Sequence, residues 1–177
     1  MERYIAFLRG INVSGQKIIK MEMLRKVASD AGFGDVKTYI QSGNLIFTSD
    51  EKDENKLILK TEELIEMNFG FRTDVIIRKR TDIEAIVNLP LFDPMKSDDE
   101  KKFYITFLKH ENSQAPEFPI FSKNREIEFF QGNGREIFSV CTLHKGVYGF
   151  PNAFVEKLTG IAATTRNPIT LRKILEV

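Results

Sequence analysis

Short apolar runs along this chain alternate with stretches whose apolar positions recur about every 3.6 residues, and the switches between the two outline its elements. Residues 4–8 form a short apolar run that ends at Gly10 and predicts a strand. Met21, Leu24, Val27, Ala28 and Ala31 repeat at helical spacing, with Gly32 where a C-terminal cap belongs. Residues 36–40 and 45–48 predict two strands joined as a hairpin through Ser42-Gly43-Asn44. Leu57, Ile58, Thr61, Leu64, Ile65 and Asn68 mark one side of a second helix that ends near Gly70, and residues 73–78 predict a fourth strand. The order βαββαβ is the ferredoxin-like plan.

The texture then changes. Residues 81–89 predict a short helix with Ile83, Ile86 and Val87 facing inward. Residues 90–102 are mostly charged, carry Pro94 and lack periodicity, which predicts a surface linker. Strands are expected over 103–108, 126–130 and 136–143, the last two turning through Gln131-Gly132-Asn133-Gly134. Helices are expected over 151–158 and 168–175. The expected fold is α+β: a ferredoxin-like half over 1–89, a linker over 90–102, and a second, degenerate ferredoxin-like half over 103–177 packed with the first. The echo rests on element order, since no repeat is visible in the sequence.

Strand order decides which polar turns meet. In a 4-1-3-2 sheet the first two strands run the same way, so residues 9–20 and 41–44 converge at one sheet end, approached by residues 68–71. Arg9, Lys17 and Lys20 supply charge there, and Asn12, Gln41, Ser42 and Asn44 supply neutral donors and acceptors. Gly10-x4-Gly15-Gln16-Lys17 has the outline of a phosphate-cradling loop. It fails as a P-loop, because Gln16 separates Gly15 from Lys17 and Ile18 stands where a hydroxyl should hold magnesium. The better reading is a site for a small anionic or polar ligand, set against the plainer one of a glycine turn with polar capping. Arg166 is a further ligand candidate, while Asn167 suits the N-cap of a helix that opens at Pro168.

Composition narrows the classes. With 26 basic and 25 acidic residues the net charge is +1, which provides no general drive toward nucleic acid or membrane. The aromatic run at 102–107 lacks the glycine of an RNA-binding strand, and Phe103, Phe107, Phe129 and Phe130 are expected to cover sheet faces instead. The single Cys141 excludes an internal disulfide and suits a reducing cytosol. No apolar run reaches about 18 residues and no signal peptide is visible, so the chain is expected to be cytoplasmic, with no membrane partner. Cys141 and His144 need not face each other on a strand, and no residues have metal-ligand spacing, so neither a metal nor a cofactor is expected. Without an evident catalytic base, recognition is favoured over turnover. The competing class is a protein- or RNA-interaction module that uses its sheet faces.

Residues 4–15 (Tyr4-Ile5-Ala6-Phe7-Leu8-Arg9-Gly10-Ile11-Asn12-Val13-Ser14-Gly15), the helix bearing Met21, Leu24 and Arg25, Thr38-Tyr39-Ile40-Gln41-Ser42-Gly43-Asn44, and the late Thr164-Thr165-Arg166-Asn167 together resemble the bacterial family called domain of unknown function 1697. The resemblance implies a cytosolic α+β protein of two ferredoxin-like parts and implies no established activity. It carries over Arg9, Asn12, Gln41, Ser42, Asn44, Arg166 and Asn167 as candidates for a shared site. Family members commonly read Gly-Gly-Lys after the first motif and Thr-Arg-Asn-Trp-Asn-Thr near the end. This chain has Ser14-Gly15-Gln16-Lys17 and Thr165-Arg166-Asn167-Pro168-Ile169-Thr170, and so lacks that aromatic and the second amide.

Overall fold

A computed structural model of the chain describes residues 1–92, 100–114, 116–144 and 146–177. The chain divides into two compact units, Met1–Glu84 with Lys173–Val177, and Ala85–Arg172. In the first, β1 (Glu2–Leu8), α1 (Met21–Asp30), β2 (Gly34–Tyr39), β3 (Asn44–Ser49), α2 (Glu54–Phe69) and β4 (Val75–Lys79) follow in the expected order. Their antiparallel sheet has the strand order β2-β3-β1-β4, which is 4-1-3-2 read from its other edge. The register sets Phe7 opposite both Asn44 and Ile76, and Leu8 opposite Val75. The end of β1, the β2–β3 turn and the start of β4 therefore share one sheet end.

Alternation along β1 sends Tyr4, Ala6 and Leu8 to one face, where they join Leu45, Phe47, Val75 and Ile77 in a single core. Leu24 and Ala28 of α1 and Leu57, Leu64 and Ile65 of α2 close that core, each large side chain contributing about 1.5–3 kcal/mol by burial. Ile5, Phe7, Ile46 and Ile76 occupy the opposite face and are buried as well. α2 starts where Asp53 accepts from the N–H groups of Asn55 and Lys56, and it stops at Gly70 with φ of 75°.

α3 (Arg80–Val87) follows β4 without a loop. Of the expected linker, residues 90–92 form a 3-10 turn, Lys101 and Lys102 already belong to the next strand, and residues 93–99 lie outside the described residues. The second unit contains β5 (Lys101–Leu108), β6 (Ile120–Phe121), β7 (Ile127–Gly132), β8 (Glu136–His144), β9 (Val147–Tyr148), α4 (Asn152–Thr159) and β10 (Ala163–Arg166); α5 (Pro168–Leu175) follows. Its sheet runs β10-β5-β8-β7-β6, with β9 paired to β8. The sequence pattern misses three of these strands. β6 and β9 are two residues long, and β10 pairs antiparallel with β5 although three of its four residues, Thr164, Thr165 and Arg166, are polar. Phe107 and Phe129 are fully buried, the latter stacked on Phe154 at 4.7 Å, so neither can offer its ring to a base. Among the described residues no helix is long and apolar enough to cross a membrane.

Candidate functional site

Three loops meet at the shared end of the first sheet. The N–H of Leu8 donates to the Gly43 carbonyl at 2.8 Å, and the N–H of Arg9 donates to the Asp74 carbonyl at 2.9 Å. The Thr73 hydroxyl donates in turn to the Arg9 carbonyl, so β1 leaves the sheet clamped on both sides.

The segment after β1 is not a loop running into a helix N-terminus. Val13 and Gln16 form an antiparallel bridge closed by Gln16 N–H to Val13 C=O at 2.9 Å. Ser14 and Gly15 between them have φ of 50° and 74°, the two positive values of a type I′ turn. Gly15 thus serves the tip of a miniature hairpin, and α1 begins later, after Lys20, which makes no side-chain cap bond. That geometry removes the phosphate-cradling outline and leaves a hairpin, residues 12–17, projecting beside the sheet end.

Asn12 fixes this hairpin. Its Oδ1 accepts the Ile19 N–H at 2.8 Å, while its Nδ2 donates to the carbonyls of Ile19 and Gln41 at 3.0 and 2.7 Å. Asn44, fully buried, spans the β2–β3 turn by donating from Nδ2 to the Tyr39 carbonyl at 3.0 Å and to Ser42 Oγ at 3.1 Å. The turn is longer than Ser42-Gly43-Asn44: Tyr39 pairs with Asn44, and Ile40 lies outside the strand with φ of 48° and an exposed side chain. Gln41 is exposed and contributes its carbonyl to Asn12.

The charged residues lie at the edge of a cleft. Lys17 Nζ donates to the Arg72 carbonyl at 2.8 Å and sits 5.8 Å from the centre of the Phe71 ring. The Arg9 guanidinium is 3.9 Å from the Asp74 carboxylate. Beside them opens a cleft of about 340 Å³ lined by Lys17, Arg72, Thr73, Asp74 and one face of α2. Leu59, Glu62, Glu63 and Glu66 form that face, spaced three and four apart as neighbours on a helix surface are. Glu62 accepts the Val75 N–H at 2.9 Å, and Glu66 accepts from Arg72 Nε at 2.7 Å. The bond to Glu66, then its charge, raises the Arg72 pKa above the ordinary guanidinium value.

Arg9, Asn12, Lys17, Gln41, Ser42 and Asn44 are therefore brought together, with Lys17 alone among them lining the cleft. The sequence reading missed Leu59, Glu62, Glu63, Glu66 and residues 72–74. Its signal for them was the approach of residues 68–71 to the same sheet end, which also carries the outer stripe of α2 there.

Arg166 and Asn167 belong to the second unit. Arg166 Nη1 donates to Thr164 Oγ1 at 2.8 Å and the Thr165 carbonyl at 2.9 Å. Burial lowers its pKa to about 10, so the guanidinium stays charged at neutral pH. Asn167 Oδ1 accepts the Thr170 N–H at 2.7 Å, the capping bond that opens α5 at Pro168. Cys141 is buried, and burial pushes its thiol up to about 12, while His144 is exposed at the end of β8. Among the described residues no group of His, Cys, Asp and Glu could hold a metal ion.

The sequence model of a family described as "Protein of unknown function (DUF1697)" matches residues 1–138. The chain belongs to this family. The matched stretch contains the hairpin, the β2–β3 turn and every residue of the cleft, and Arg166 and Asn167 lie beyond it. The fold is similar to that of the conserved bacterial protein SP0830 from Streptococcus pneumoniae, with a TM-score of 0.70 and 24% identity over 99% of this chain and 97% of that one. No curated protein matches the sequence.

Proposed function

We propose that this DUF1697 chain binds a small polar molecule in the cleft between α2 and residues 72–74, with Lys17 as its principal cation. The observation that carries this reading is the cleft itself. It opens at the sheet end where three loops converge, and its size falls at the lower end of small-molecule sites. Asn12 and Asn44, with Ser42 accepting from Asn44, act one step back: their hydrogen bonds hold the hairpin and the turn, so they set the position of Lys17 rather than touch the ligand. Arg9 acts likewise by pairing with Asp74 on the cleft wall.

A thermal-shift screen of the full chain against small phosphates, carboxylates and amino acids tests the reading. A compound at about 100 times its dissociation constant adds about 2.7 kcal/mol, which raises the melting midpoint by roughly 5–10 °C. The shift should disappear in Lys17→Met and in Leu59→Arg, whose long side chain would enter the cleft from an exposed position. A shift that survives in both folded variants would put the binding elsewhere.

A further inference from the structure

Two opposed charges in the cleft, Lys17 and Glu63, have no ion-pair partner among the described residues. Arg72 is held by Glu66 at 2.7 Å, Asp74 faces Arg9 at 3.9 Å, and Glu62 receives the Val75 N–H at 2.9 Å. Among the described residues, Lys17 has only a neutral carbonyl as hydrogen-bond partner, and Glu63, exposed on the same wall as Leu59, has no cation within ion-pairing distance. An anion alone would meet Lys17 but also the carboxylates of Glu62 and Glu63, which line the same cleft. A cation alone would meet Glu63 and leave the Lys17 ammonium in the same cleft without a counter-charge. A molecule carrying both charges answers both groups, and Leu59, 59% exposed, offers an apolar surface beside them.

We infer that the ligand is a small zwitterion, its carboxylate held by Lys17 and its ammonium by Glu63, with an apolar side chain against Leu59. The inference rests on the binding role proposed above for the same cleft. A free amino acid and a short peptide share this chemistry and differ in the spacing of their charges.

Isothermal titration of the full chain with L-leucine and with leucyl-leucine, each also as its N-acetyl and C-terminal amide form, tests it. Wild type should bind one of the two parent probes, which names the source, and blocking either terminus should weaken binding about tenfold, as expected for losing one charge-assisted hydrogen bond. Lys17→Met should erase the penalty for amidation alone, and Glu63→Gln the penalty for acetylation alone. Both residues are exposed, so both variants should fold. Equal affinity for blocked and unblocked probes, or penalties unchanged in the two variants, would overturn the zwitterion assignment while leaving the cleft a binding site. No binding by either parent probe, beside a cleft-dependent shift from some other compound in the thermal screen, would do the same. Silence in both experiments would overturn the binding role as well.

Discussion

Asn12 has both ends of its amide committed, one to accepting a single N–H and the other to donating to two carbonyls. Asn12→Ala should therefore lower stability by about 1–3 kcal/mol, the cost of stranding partly buried backbone groups. Asn12→Asp keeps the shape but turns an oxygen toward the Ile19 and Gln41 carbonyls, so at neutral pH it should cost at least as much. Urea unfolding of the three proteins at pH 7 reads both effects, and an Asp variant as stable as wild type would contradict the staple. The sequence marks Asn12 as a polar turn residue, but the direction of its amide depends on the φ of 54° and on where Ile19 and Gln41 come to lie. Cys141 offers a second check at this scale. With its thiol pushed up to about 12 by burial, it should resist a thiol reagent at pH 8 in the folded protein and react at one thiol per chain in denaturant. Rapid labelling of the native state would show that β8 opens.

Two glycines separate the conformational demands of the site's elements. Gly15 sits at a hairpin tip with φ of 74° and open space around it, so Gly15→Ala should cost about 1–2 kcal/mol for the left-handed backbone alone. Gly43 has φ of 76°, and a Cβ there would meet Ile11 Cδ1 at 2.7 Å and Leu8 Cβ at 2.9 Å. Gly43→Ala adds overpacking to the backbone cost and should lose about 2–5 kcal/mol. Differential scanning calorimetry should rank wild type, Gly15→Ala and Gly43→Ala in descending midpoint, and equal losses would contradict the close approach. The helices α1 and α2 are legible because their burial follows the 3.6-residue spacing, and β1 and β3 because each is a short continuous apolar run buried on both faces. β10 is not legible, since four residues including Thr164, Thr165 and Arg166 become a strand only through pairing with β5, more than 50 positions earlier. The hairpin at 12–17 escapes for a similar reason: one bridged pair is too short to show a period of two.

Across the whole chain, a net charge of +1 conceals local imbalance, because the cleft gathers four carboxylates and two cations from segments far apart in sequence. Strand directions alone foretell that residues 9–20, 41–44 and the start of β4 meet, so the corner follows from the order of strands and turns. The cleft does not follow in that way. It requires knowing which stripe of α2 turns outward, and the apolar pattern identifies only the buried stripe. The polar residues that read as ligand contacts from sequence are largely those that hold the turns, whereas the cleft wall is built from glutamates that resemble an ordinary solvated helix face. The most direct measurement is a set of amide nitrogen–proton correlation spectra of the full chain, titrated with small phosphates, carboxylates and amino acids. Binding in the cleft predicts saturable shifts concentrated at Lys17, at residues 72–74 and along residues 59–66 of α2. Saturable shifts confined to other parts of the chain, or none from any compound, would contradict it.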